Sequence, residues 1–379
     1  MDFINNIFNI FKEGIALDIQ LDLGTPQIKN EAIRAYTHTI ASTHPKYKEW
    51  LLGNNIQVRL VLDSYEKNDL NYNFIAPDIY GGHPLLDTLE VNVSRFMKIA
   101  DISLFELIMG ALRGGWHVVC MMDDYYIPNR YGYADQVGAK HLEMISGYRE
   151  ADDCFFIVGW NYRRAYDTQY ISRADVLSAI NGIFAESNDT YSFFLNKTKS
   201  GASYQFNVED LLKELKLYIA SENLTDNLFP YFGCTREKPN WRWTDAYRVY
   251  SRERYAYGIS SNKYIAEYLR RNILNGFFEY NPLNAIHCIY EHKLCMLNRM
   301  RYLAEQGSIP LQYVEKLSDE YKRQVVDQAK IIENLYLKYA VTDNINCLHK
   351  VCDIFEKLSY YEYSLTLDLI HLIEGSYME

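Results

Sequence analysis

Three β-rich runs lie close together between residues 116 and 160, and long stretches of helical periodicity follow them. No all-α or all-β fold accommodates both patterns. Trp116 to Met122 is apolar and β-rich, and His141 to Tyr148 alternates. Cys154 to Trp160 is a continuous apolar run of the buried-strand type. The first two runs are separated by IPNRYGYADQVGAK, a loop rich in Pro, Gly, Asn and Asp. From about Phe206 the period changes to 3.6 residues, over Val208 to Ala220, Asn262 to Leu274, Leu283 to Gln306 and Leu311 to the C-terminus, punctuated by Gly258, Pro282 and Pro310. These patterns predict an α+β domain over residues 1–205 and a mainly helical domain over residues 206–379, a division that suits 379 residues.

Upstream, Ile56 to Leu62 reads either as a strand or as the start of a helix capped by Asn54. Ser94 to Arg113 keeps helical spacing up to Gly114-Gly115 and reads as one helix. A further helix fits Arg173 to Phe184, with Ser172 as its N-cap.

Net charge is 39 − 49 = −10, which argues against broad nucleic-acid binding, since that needs a basic face. No apolar run approaches the roughly 18–20 residues of a membrane helix. The first residues, MDFINNIFNIFKEG, lack the basic start and cleavage site of a signal peptide and read as a short docking helix. Seven cysteines without framework spacing imply reduced thiols and a cytoplasmic protein. The 34 tyrosines suit either contact surfaces or a coding bias.

Two residues of the strand trio suggest chemistry. His141 opens the second run and Asn161 follows the third, so adjacent strands would bring them side by side. An Asn carbonyl accepting from one imidazole N–H fixes the tautomer and leaves the other nitrogen as a base. Asp123 and Asp124 close the first run; Asp123 is the catalytic candidate, and one of the pair could polarise His141 or hold an amine, or both could be solvated turn carboxylates. Tyr125, Tyr126, Tyr131 and Tyr133 could wall an acyl pocket or pack. Around residue 290, His287, Glu291 and Cys295 share one helical face and Cys288, His292 and Cys295 another. Packing within a bundle explains them better than zinc, so no metal or cofactor is expected. A basic-aromatic cluster containing Trp241 and Arg242 could steer an acidic partner. Gly81-Gly82 and Gly114-Gly115 lack the spacing of a phosphate loop.

The pattern MDDYYIP, HLEMISGYR, FFIVGWN and IYEHKLCMLNRMRYL resembles a family of bacterial proteins encoded beside nonribosomal-peptide and other thiotemplated gene clusters, related to the N-terminal domain of the butirosin biosynthesis protein H. The resemblance is strongest over about residues 116–165 and 250–305. It implies a papain-like α+β fold and transfer of an acyl group from a carrier-protein thioester to a small amine acceptor, forming an amide. By position, His141 would be the general base and Asn161 its orienter. A papain-like nucleophile precedes the histidine at a helix start, where the helix N-terminus lowers the thiol pKa. The chain departs from that pattern. Cys120 lies inside a predicted strand, and the segment matching the nucleophile helix, Glu49 to Gln57, offers Asn54 and Asn55 but no nucleophile. The leading expectation is an amide-forming acyl- or aminoacyltransferase of specialised metabolism with His141 as base, and the alternative is a catalytically degenerate papain-like protein that binds a carrier protein or peptide intermediate as a scaffold. A protease is disfavoured by the missing cysteine.

Overall fold

The computed structural model describes residues 18–62, 70–75, 83–130, 132–134, 139–186, 190–222, 255–275 and 282–376. The chain is mixed α+β, with an antiparallel sheet and a helical C-terminal region. It divides into two compact units. The first comprises residues 1–26, 31–47 and 78–203, and the second residues 27–30, 48–77 and 204–379. The division falls after Ser203, and the short segments 27–30 and 48–77 join the helical unit.

The first unit is built on β1 (Ile19–Gln20), β4 (Leu86–Asn92), β5 (His117–Asp123), β6 (Lys140–Arg149), β7 (Cys154–Trp160), β8 (Tyr166–Ser172) and β9 (Ser192–Thr198), counting β2 and β3 of the other unit in chain order. Their order is β4-β9-β5-β6-β7-β8, with β1 paired to β6, and every pairing is antiparallel. The three sequence-predicted runs are the adjacent strands β5, β6 and β7. Helix α1 (Ala32–Ala41) packs on β6, β7 and β9. After α2 (Tyr47–Asn54), which belongs largely to the second unit, the stretch read as one helix is two: α3 (Val93–Ala100) and α4 (Leu104–Arg113). Asp101, at φ 53°, ends α3, and Ser103 with Glu106 starts α4 through a reciprocal capping box. Helix α5 (Arg173–Glu186) begins as the sequence predicts, with Ser172 Oγ accepting from Asp175 N at 3.1 Å. Apolar side chains of α4 and α5, among them Ile108 and Ile180, join Val118, Cys120, Ile145 and Phe155 of the sheet in one core.

The second unit holds a three-stranded sheet, β10 (Tyr255–Tyr257), β2 (Val58–Val61) and β3 (Tyr72–Phe74), so Ile56 to Leu62 resolves as a strand. Its helices are α6 (Val208–Ala220), α7 (Ser260–Asn275), α8 (Leu283–Glu305), α9 (Leu311–Tyr321), α10 (Asp327–Thr342) and α11 (Ile345–Ser376). One wide π-helical turn, Lys322–Val326, joins α9 to α10 without a break. Among the described residues no helix is long and apolar enough to cross a membrane.

The helices enclose a charged pair with no access to water. Lys293 Nζ lies 2.8 Å from Glu362 Oε1, and both side chains are 0% exposed. Tyr218 donates to the same oxygen at 2.8 Å, and Asn262 Nδ2 donates to Oε2 at 2.8 Å. Burial lowers the Lys293 pKa, and Glu362 opposes that shift. The desolvation of both ions is offset only while the pair stays intact. Lys293→Met is expected to cost about 3–5 kcal/mol, because it strands Glu362 in an apolar interior. Urea unfolding of Lys293→Met, Glu362→Leu and the double variant measures this, with the double variant losing less than the sum of the singles.

Candidate functional site

His141 is the second residue of β6 and sits opposite Met122 of β5. Its side chain is 60% exposed, and Nε2 lies 3.7 Å from Asp124 Oδ2. That is too long for a hydrogen bond but close enough for a charge on either group to act on the other. Asp124 opens the 3₁₀ turn Asp124–Tyr126, where its backbone N–H donates to Ala139 O at 2.8 Å. Its carboxyl is buried, and Oδ1 has no hydrogen-bond partner among the described residues. Burial raises the Asp124 pKa, against the pull of His141 and Arg130.

Asn161 does not orient His141. The β6–β7 ladder ends at the Met144–Val158 pair, so His141 lies beyond the paired region. Asn161 serves its own turn instead. Its Oδ1 accepts from Arg163 N at 2.8 Å and Ala165 N at 3.1 Å, and its Nδ2 donates to Asp167 Oδ2 at 2.9 Å. With Asn129, Tyr162, Arg163, Asp167 and Gln169 it lines a shallow cavity of about 230 Å³. Asp123 is also not the partner of His141: its Oδ1 accepts from Tyr125 N at 3.0 Å and caps the 3₁₀ turn.

Tyr125 and Tyr126 are exposed and meet edge to face, with centroids 5.0 Å apart. Asn54 ends α2, where Nδ2 donates to Trp50 O at 2.8 Å and to Tyr204 Oη at 2.9 Å. It belongs to the second unit, whereas His141 belongs to the first. Trp241, Arg242, Tyr131 and the N-terminal docking segment lie outside the described residues. Cys120 is a core residue, and burial pushes its thiol up to about 12, so no thiolate forms there at neutral pH.

The sequence reading passed over a buried cluster beside this site. Glu143 follows His141 by two residues on the same face of β6 and is 3% exposed. Arg130 Nη2 donates to Glu143 Oε2 at 2.6 Å, and Tyr36 Oη donates to Leu142 O at 2.7 Å. Gly159 leaves the space this needs, since a Cβ there would collide with Glu143, Arg130 and the Tyr36 hydroxyl. Burial raises the Glu143 carboxyl pKa, and the Arg130 guanidinium opposes that shift. The signal was present: a glutamate inside the strand HLEMISGY needs a cation if that strand is covered on both faces. Arg130→Met is expected to cost about 3–5 kcal/mol by urea unfolding. Glu143→Leu added to it should recover part of that loss.

In the helical unit, the residues weighed for zinc are already engaged. His287 Nδ1 bonds Glu333 Oε1 at 2.7 Å, and Nε2 lies 3.1 Å from Glu291 Oε1. Glu291 accepts from the backbone N–H groups of Lys29 at 2.6 Å and Asn30 at 3.1 Å. His292 bonds Ile56 O at 2.8 Å, and Cys288 and Cys295 are buried. No metal-binding group of His, Cys, Asp or Glu occurs among the described residues. The two carboxylates overcome burial and raise the His287 pKa to about 9. The folded pKa lies above the unfolded value of about 6.5, so this stabilisation is complete below about pH 6.5 and is lost as pH rises through about 9. The stability gap between the parent and His287→Gln, measured by urea midpoints, is expected to shrink over that window by on the order of 2–3 kcal/mol.

No protein-family model matches the chain, and no curated protein matches it.

Proposed function

We propose that the chain is a papain-like protein of thiotemplated biosynthesis that binds a carrier-borne or peptide intermediate without forming a covalent acyl-enzyme. The observation that carries this reading is the surroundings of His141. Its ring makes no hydrogen bond among the described residues, and its one charged neighbour is Asp124. A papain-like thiol sits at the start of the helix that packs on the sheet. Here α1, α4 and α5 pack on the sheet: α1 starts Asn30-Glu31-Ala32-Ile33, without Cys, Ser or Thr, and the hydroxyls at the starts of α4 and α5, Ser103 and Ser172, are engaged as caps with Glu106 and Asp175. The resemblance described above supplies the partner class, an acyl or peptidyl carrier protein.

A second reading is favoured by the 3.7 Å approach of Asp124 to His141. A carboxylate beside an imidazole stabilises the imidazolium that forms when the ring takes a proton. His141 would then deprotonate an incoming amine, whose nitrogen attacks the carrier thioester carbonyl directly. The carrier thiolate leaves, and an amide results.

Purified carrier protein bearing an aminoacyl thioester, mixed with an amine and the full chain, separates the two. The first reading expects saturable carrier binding, no amide above the uncatalysed rate, and the same binding by His141→Ala. Amide formation that falls about 10²–10⁴-fold in His141→Ala with folding intact establishes the acyltransferase instead. Absence of carrier binding by the parent chain overturns both.

A further inference from the structure

Strand β8 lies at one edge of the larger sheet, where among the described residues it pairs with β7 alone. Two bonds just outside the ladder fix which way its backbone points. Asn161 N–H donates to Ala165 O at 2.9 Å, and Arg173 N–H donates to Asp153 O at 2.8 Å. Bonded pairs of an antiparallel ladder recur at every second residue, so the odd-numbered residues from Ala165 to Arg173 turn their N–H and C=O groups to β7. Tyr166, Thr168, Tyr170 and Ser172 turn theirs to the open edge. The N–H and C=O groups of Thr168 and Tyr170 have no partner among the described residues. Nothing in the strand blunts this edge: along its 7 residues it has no Pro, no Lys and no register shift. Asp167 and Thr168 are exposed, and Tyr170 is 55% exposed.

The charges near its two ends are opposite. The Asp167 carboxylate accepts from the neutral amides of Asn161 and Gln169, each at 2.9 Å, and forms no ion pair among the described residues. Arg173 follows the strand, still in register with β7. A twofold axis at Tyr170 therefore sets Asp167 of each copy opposite Arg173 of the other, and Thr168 opposite Ser172. The residues it pairs along the edge, Thr168, Tyr170 and Ser172, are those whose backbone groups point outward. An axis at Thr168 would instead set Arg163 opposite Arg173. Tyr170 ends a row of packed side chains, its ring centroid 4.9 Å from that of Phe156 and 4.7 Å from the Arg149 guanidinium. The opposite edge, β4, reads LDTLEVN, and its only charges are Asp87 and Glu90, so a second copy there would meet like charge.

We propose that β8 is the interface of a homodimer, in which two copies join edge to edge, antiparallel, about a twofold axis at Tyr170. Thr168, Tyr170 and Ser172 exchange backbone hydrogen bonds with Ser172, Tyr170 and Thr168 of the partner subunit, and the two larger sheets become one. The two Asp167–Arg173 pairs select this register. The Arg173 guanidinium, 3.2 Å from Asp153, has further N–H groups for a second carboxylate. The contact is short, which places the dimer in the weak, concentration-dependent class.

Sedimentation velocity of the full chain over a range of concentrations tests this, with the 44.5 kDa monomer expected to give way to a dimer as concentration rises. Asp167→Arg places like charges opposite each other twice and should weaken the dimer about 3- to 30-fold. Thr168→Pro removes an outward N–H that β7 does not use and should abolish the dimer. Oxidative cross-linking then reads the register. Tyr170→Cys brings two thiols across the axis at the Cα separation of a bonded pair, about 5.5 Å, which a disulfide spans. Thr168→Cys leaves its two thiols four residues out of register, about 13 Å apart. Covalent dimer above the level of the parent chain is therefore expected from Tyr170→Cys and not from Thr168→Cys. Circular dichroism and thermal midpoints show that the variants remain folded. A chain that stays monomeric up to millimolar concentration overturns the proposal and leaves this edge to a strand from another protein. A dimer unchanged in the folded Asp167 and Thr168→Pro variants, or cross-linked through Thr168→Cys rather than Tyr170→Cys, overturns it equally.

Discussion

An ion withdrawn from water has to be answered by another ion or by hydrogen-bonding groups, and each unit of this chain buries an ion pair that meets this obligation. In the first, Glu143 in the middle of β6 requires Arg130, and Gly159 must have no side chain for the two to meet. In the second, Lys293 and Glu362 lie at zero exposure, surrounded by Tyr218, Tyr321 and Asn262. A buried pair of this kind adds little net stability compared with a well-packed apolar pair. It does penalise every arrangement in which the partners are apart. The register of β6 against its neighbours, and the rotation of α8 against α11, are therefore constrained by charge as well as by packing.

Periodicity made much of this architecture readable. Strands β5, β6 and β7, and helices α5, α6, α7 and α8, stand within a few residues of where apolar spacing puts them. Strands β4, β8 and β9 were not readable. β8 reads YDTQYIS, an edge strand with few apolar anchors, and β9 inserts between β4 and β5 from far along the chain. No local pattern carries that pairing. The break between α3 and α4 was readable in hindsight, since Ser103-Leu104-Phe105-Glu106 has the capping-box spacing.

The site was legible at His141 and illegible one step outward. Spacing alone extends the β6–β7 ladder to Asn161, but hydrogen bonding stops at Met144 and Val158, and the asparagine spends its amide on a turn. The choice between Asp123 and Asp124 depended on a 3₁₀ turn that reverses which of two neighbours faces His141. Both errors arise at the end of a strand, where side-chain alternation ceases to be informative. The buried Arg130 was harder to find, because it lies in a loop and its partner is 13 residues away.

The wide turn at Lys322–Val326 bears on how this chain can vary in length. A π-helical turn holds one residue more than the α-helical turn it replaces. Within an ordinary helix, loss of a residue rotates everything downstream by about 100°. Here the surplus is already confined to one turn, so removing the exposed Arg323 would tighten that turn and leave both flanking helices in phase. Glu333 would keep its place beside His287. Single-residue deletions among homologues should therefore collect at this turn and be scarce along the remainder of α9 and α10.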